Sequence, residues 1–127
     1  MLEPEIRGVL DGTSIAHLAT SLPDGSPHVV PVLVGTHGDR IAFLTGPTSR
    51  KARNLQRDPR IALSIAPADN PFVPVIIRGR VVERLDGDPA WKIIDELSTK
   101  YLGMPYSREH ERVVFLIEPG QQAIGVG

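Results

Sequence analysis

RIAFLTGPTSRKARNLQRDPRIALSIA, residues 40–66, is the stretch of the chain that decides the fold. It begins and ends with short apolar runs, at 40–45 and 60–66, which predict two β-strands. Between these runs Thr48 or Ser49 can cap a short helix, and an Asp-Pro pair ends that helix. The stretch therefore predicts a strand, a helix and a second strand in succession, with a loop rich in glycine and hydroxyl residues where the helix begins.

Outside this stretch, short apolar runs separated by turn-forming residues predict further strands, and residues at helical spacing predict two more helices. Pro31 cannot donate to a sheet ladder, so we expect it at an edge, a bulge or a ligand. Gly79 suggests a bulge or a close approach of two backbones.

The first three strands should form a meander. Six strands and about three short helices favour a mainly β fold, a six-stranded antiparallel barrel with appended helices, over a βαβ stack. The predicted strands are 14–20, 27–36, 40–45, 60–66, 72–84 and 112–117, and the predicted helices are 3–11, 49–57 and 88–103.

The composition limits the classes of function. At 127 residues the chain fits one domain, 1–127, and its 14 Lys plus Arg against 15 Asp plus Glu produce no strong field for nucleic acid or an anionic membrane. The absence of cysteine excludes disulfides, thiolate metal sites and cysteine nucleophiles. The sequence has no signal-peptide pattern and no apolar run of the roughly 18 residues that a membrane-spanning helix needs. We therefore expect a soluble, cytoplasmic protein without a metal site.

The densest group of polar residues lies between Thr45 and Leu55. Arg50 and Lys51 fall in the first turn of the predicted helix, where the helix dipole favours negative charge instead. A bound anion would offset this conflict, held by free backbone N–H groups, by the Ser49 hydroxyl and by the two cations. A solvated basic helix face explains the same pattern. The segment alone leaves both interpretations open.

Short motifs in this segment and around it are similar to those of a known family. They are Phe43-Leu44-Thr45, Ser49-Arg50-Lys51, Asn54-Leu55, Asp58-Pro59-Arg60-Ile61-Ala62-Leu63 and Arg78-Gly79-Arg80. Over residues 13–118 the chain resembles the pyridoxamine 5′-phosphate oxidases and the related deazaflavin-dependent oxidoreductases. The resemblance implies a split β-barrel of the FMN-binding type. It also implies a homodimer with cofactor sites at the interface.

The resemblance also implies a set of cofactor contacts. In the family, one segment contacts the phosphate side of the flavin, and the backbone of the second strand lines the ring. Carried onto this sequence, the cofactor-binding residues are Val30, Pro31, Val32, Thr45, Ser49, Arg50, Lys51 and Asn54.

Three positions depart from the pattern of the phosphate oxidases. Those enzymes place an Arg and a Lys on the second strand, where this chain has Val29 and Val34, and a Gln from the partner subunit is replaced near Pro74. The substrate-binding C-terminal end of those enzymes also has no counterpart here. These differences argue against oxidation of pyridoxamine phosphate.

Three further segments resemble the short deazaflavin group, which uses coenzyme F420. They are His28–Val32, Lys51–Leu55 and Lys100–Gly103. The phosphate and the acidic tail of F420 would suit the cations of the predicted helix, including Arg53 or Arg57.

The leading hypothesis is an oxidoreductase that transfers a hydride between F420 and an unsaturated or quinone-like small molecule. An FMN-binding oxidoreductase of the same fold is one alternative, and a non-catalytic carrier of the cofactor or of haem is another.

Tyr101, Tyr106 or His28 could supply a proton to the reduced substrate, although each also has a structural explanation. The catalytic residues therefore remain unassigned.

Overall fold

The computed structural model describes residues 1–125, which form seven strands and three helices. No helix in this part of the chain is long and apolar enough to cross a membrane. In chain order the elements are α1 (Pro4–Asp11), β1 (Ala16–Ser21), β2 (Pro27–Val32), β3 (Val34–His37), β4 (Arg40–Thr45), α2 (Arg50–Arg57), β5 (Arg60–Ile65), β6 (Val75–Leu85), α3 (Gly87–Leu102) and β7 (Val113–Ile124).

The seven strands form a single antiparallel sheet in the order β2-β1-β5-β6-β7-β4-β3. The prediction of six strands was wrong because the predicted strand 27–36 is interrupted at Leu33. Its first half pairs with β1 at one end of the sheet, and its second half pairs with β4 at the other end. The predicted three-stranded meander is therefore absent. Since one residue separates β2 from β3, the two ends of the sheet lie close together, and the sheet curls into a barrel. No ladder joins β2 to β3 within residues 1–125, so the barrel stays open between them.

Two of the sequence predictions concern special backbone positions, and both are confirmed. Pro31 lies on β2, which is an edge strand. Gly79 lies at a register shift between β6 and β7, and a Cβ built there would be 2.4 Å from the Glu118 carbonyl oxygen. The β7 strand extends to Ile124, beyond the predicted end at 117. It does so because the long β6 strand continues to supply backbone partners.

The core divides into two layers on opposite faces of β4 and β7. Phe43 and Phe115 stack inside the barrel with ring centroids 5.5 Å apart, together with apolar residues of α1 and the other strands. The alternate residues of β4 and β7 point outward and are covered by α3. This arrangement buries both faces of β4, which accounts for its continuous apolar run. The residues of the outer layer are Ala42, Leu44, Ala90, Ile93, Ile94, Leu97, Val114 and Leu116.

Candidate functional site

The loop between β4 and α2 places two hydroxyl groups where the helix begins. Ser49 is the N-cap residue of α2, and its Oγ accepts a hydrogen bond of 3.1 Å from the Ala52 N–H. The same oxygen lies 2.8 Å from Thr45 Oγ1, at the end of β4. The Ser49 N–H donates to the Gly46 carbonyl, which closes the loop. The sequence prediction of a cap at Thr48 or Ser49 is resolved in favour of Ser49.

Two cations in the first turn of α2 have no acidic partner among the described residues. Arg50 and Lys51 are partly buried, and none of the ion pairs within residues 1–125 includes either residue. The Arg50 Nε is buried without a hydrogen-bond acceptor in this part of the chain. Because burying a charged donor without a partner is costly, the geometry suits a bound anion better than a solvated helix face. In contrast, Arg53 and Arg57 are exposed, which is typical of a solvated helix face.

Arg112 is a third cation beside this loop, and the sequence analysis missed it. It lies immediately before β7, and its Nη1 is 3.9 Å from the position that a Cβ on Gly46 would take. Its charge also contributes to lowering the pKa of Lys51, after the larger effect of burial. No local pattern in the sequence connects Arg112 to α2, because the contact depends on the pairing of β7 with β4.

Asn54 is fully buried on the side of α2 that faces β1. Its Nδ2 donates a hydrogen bond of 3.0 Å to Thr20 Oγ1, while its Oδ1 has no partner among the described residues. In the free protein this side chain therefore fixes α2 to β1. Its predicted contact with the cofactor stays a prediction.

The second strand presents two different faces. His28, Val30 and Val32 form its inward row, whereas Val29 is 58% exposed and Pro31 also points outward. The outer edge of β2 pairs with no other strand within residues 1–125, so its backbone groups are free to meet a ligand or another chain. This placement is compatible with the predicted ring-lining role of the β2 backbone, which is untested.

The three candidate proton donors differ in their surroundings. The Tyr101 hydroxyl donates to the Ser14 carbonyl at 2.8 Å, and burial raises the pKa of this group. These two features favour a structural role for Tyr101. Tyr106 packs against Trp91 with ring centroids 6.4 Å apart, and His28 Nδ1 is buried without a partner in the described chain. Within residues 1–125 no cluster of three or more His, Cys, Asp or Glu could hold a metal ion.

The fold is that of the flavin-binding split β-barrel proteins. The family model for pyridoxamine 5′-phosphate oxidase matches residues 2–122, and the chain belongs to that family. The family binds flavins such as FMN and includes oxidoreductases.

Solved structures share this fold along almost the whole chain. A protein described as an F420 reductase superposes with a TM-score of 0.83 at 26% identity, over 96% of this chain and 98% of the other. A conserved hypothetical protein from Mycobacterium tuberculosis has a TM-score of 0.78 at 26% identity, over 98% of this chain and 84% of its own. A putative pyridoxamine 5′-phosphate oxidase from Listeria innocua, at 22% identity and a TM-score of 0.76 over 98% of each chain, shares the fold alone. Among curated proteins none matches significantly.

Proposed function

We propose that the protein is a coenzyme F420-dependent oxidoreductase that transfers a hydride between the deazaflavin and an unsaturated or quinone-like small molecule. The observation that carries this proposal is the pair of cations in the first turn of α2, Arg50 and Lys51, which have no counterion within residues 1–125. The similarity to the F420 reductase supports the deazaflavin over other flavins.

The residues present fit the phosphate of such a cofactor. Arg50 Nε lacks an acceptor within residues 1–125, and the Ser49 cap leaves other N–H groups of the first helical turn free. The strand predicted at 27–36 adds no charge to this site, because valines stand at the two positions where the phosphate oxidases have an Arg and a Lys. They are Val29, on β2, and Val34, at the start of β3. The positive charge therefore comes from α2 and from Arg112 rather than from β2, which is the distinction that favours the deazaflavin group.

The reduced deazaflavin, when bound, supplies the hydride. The protein itself therefore has to bind the cofactor, orient the acceptor against its ring and exclude water from the site. Ser49, Arg50 and Lys51 would hold the phosphate, and Thr45 would support the Ser49 hydroxyl. The free edge of β2, at Val30–Val32, would orient the ring. Because this edge is at the surface of a single chain, we propose that a second copy covers it in a homodimer.

A fluorescence titration of the purified protein with F420 and with FMN tests the cofactor. We expect F420 to bind with a Kd at least about tenfold lower than that of FMN. Hydride transfer is then measured as oxidation of reduced F420 in the presence of a small quinone. A lower Kd for FMN would instead identify an FMN-binding oxidoreductase, and tight binding without transfer to any acceptor would identify a carrier. Binding of neither cofactor would contradict the proposal.

The affinity for F420 should depend on pH through Lys51. Burial, and secondly the charge of Arg112, lower the pKa of this ammonium group from its usual value of 10.5. Only the protonated form attracts a phosphate, so the Kd should rise by up to about tenfold as the pH increases towards 10.5. The Lys51→Arg variant stays charged throughout, and its Kd should remain nearly constant. Titrations from about pH 7 to pH 10 measure this difference.

Ionisation of the ligand affects the Kd of both proteins equally. The difference between the native protein and Lys51→Arg therefore reports the ionisation of Lys51 alone. Lys92→Arg, on the exposed side of α3, serves as the matched control and should retain the pH profile of the native protein. Identical pH profiles for the native protein and Lys51→Arg would show that Lys51 does not hold the anion.

A further inference from the structure

A pocket of about 300 Å³ lies between the C-terminal half of α3 and the loop that leads to β7. Its volume is at the lower end of the range for small-molecule sites. Arg112 is one of its lining residues, and the same side chain lies beside Gly46 in the loop before α2. One cation therefore borders both this pocket and the proposed phosphate site.

The lining of the pocket combines polar and apolar groups. Ser98 is fully buried, and its hydroxyl has no hydrogen-bond partner in the described part of the chain. Met104, another lining residue, is 60% exposed. Arg112 carries a positive charge, His110 can donate a hydrogen bond, and Glu109 is the one acidic group among the described residues that line the pocket. Arg112 forms no ion pair with this acid or any other in residues 1–125, so its charge is available to a ligand.

A larger pocket of about 460 Å³ lies elsewhere, next to Arg60 and Arg80. Asp58 and Glu118 also line it, and Arg60 donates to Asp58 at 2.8 Å. Its charges are therefore partly neutralised within the protein. The pocket beside Arg112 is smaller, but Arg112 forms no ion pair within residues 1–125.

We propose that Arg112 and the pocket behind it form a second compartment of the cofactor site. This compartment takes the carboxylate-bearing chain that continues past the phosphate of a deazaflavin. It would favour such a ligand over one that ends at its phosphate, as FMN does. The inference rests on the proposed function and specifies it, since it places the acidic tail at Arg112 rather than at the exposed Arg53 or Arg57.

Two ligands that differ only in the tail test this inference. Intact F420 and the same deazaflavin shortened to its terminal phosphate are titrated, by fluorescence, into the native protein, Arg112→Met and Arg53→Met. Methionine keeps an aliphatic stem but removes the charge. We expect Arg112→Met to raise the Kd of intact F420 by about tenfold or more and that of the shortened ligand by less than about threefold. Arg112→Lys should recover part of the loss, because it restores the charge without the planar guanidinium.

Arg53→Met is the matched control, since it removes one positive charge from an exposed position on α2. It should change neither Kd by more than about threefold. A larger loss of F420 binding in Arg53→Met than in Arg112→Met would overturn the inference and place the tail over α2. Equal losses of both ligands in Arg112→Met would also overturn it, by assigning Arg112 to the phosphate. If neither ligand binds the native protein, the proposed function fails, and the inference fails with it. If both ligands bind but Arg112→Met weakens them equally, only the inference fails. Circular dichroism and thermal unfolding confirm that each variant is folded.

Discussion

Replacing Arg50 and Lys51 together by alanine is expected to raise the Kd for F420 by a factor of about 100 or more. Each charge-assisted hydrogen bond to a phosphate contributes roughly 1.5–3 kcal/mol, and a factor of ten in Kd corresponds to about 1.4 kcal/mol. Losing two such interactions therefore exceeds a hundredfold. The fluorescence titration that measures F420 binding to the native protein measures this loss directly.

The stability of the cofactor-free double variant separates a binding role from a structural one. Cations in the first turn of a helix oppose its dipole by about 0.3–1 kcal/mol each, and Arg50 and Lys51 form no ion pair within residues 1–125. The variant should therefore unfold at an unchanged or slightly higher temperature. Arg84→Ala with Lys92→Ala removes the same charge from exposed positions and should change the Kd by less than about threefold. Equal losses in both double variants would show that only net charge matters.

Gly79→Ala is expected to destabilise the fold by about 3 kcal/mol, the upper part of the range for overpacked sites. A Cβ at Gly79 would lie 2.4 Å from the Glu118 carbonyl oxygen and 3.2 Å from a methyl carbon of Ile117. The carbonyl oxygen belongs to the backbone of β7 and cannot rotate away, so the β6–β7 pairing has to shift. For a chain of this size the midpoint of thermal unfolding should fall by roughly 10 °C.

Gly8→Ala, in the middle of α1, is the matched control for this substitution. A Cβ at Gly8 would meet no atom within 4 Å, and alanine is the better helix former by about 0.5–1 kcal/mol. This variant should unfold at a slightly higher temperature than the native protein. A Gly79→Ala protein as stable as the native one would mean that the β6–β7 pairing adjusts without cost.

Features with local causes could be predicted from the sequence. The boundaries of α2 follow from the Ser49 cap and from Asp58-Pro59, which lie within one or two residues of the helix ends they specify. The end of α3 follows from Gly103, whose φ of 76° suits glycine. The irregularity at Gly79 was also expected, because a glycine inside a strand marks such sites. The helix cap and the two cations at the start of α2 were predictable for the same reason, because these parts of the candidate site lie in one short segment.

The tertiary structure alone decided the features that depend on contacts between distant segments. The interruption at Leu33 arises because the two halves of the predicted strand pair with different partners, at opposite ends of the sheet. Arg112 reaches the start of α2 only because β7 pairs with β4. The burial of Asn54 depends on the packing of α2 against β1. Local sequence determines caps, turns and strand propensity, whereas strand pairing and charge clustering arise from the free energy of the whole assembled barrel.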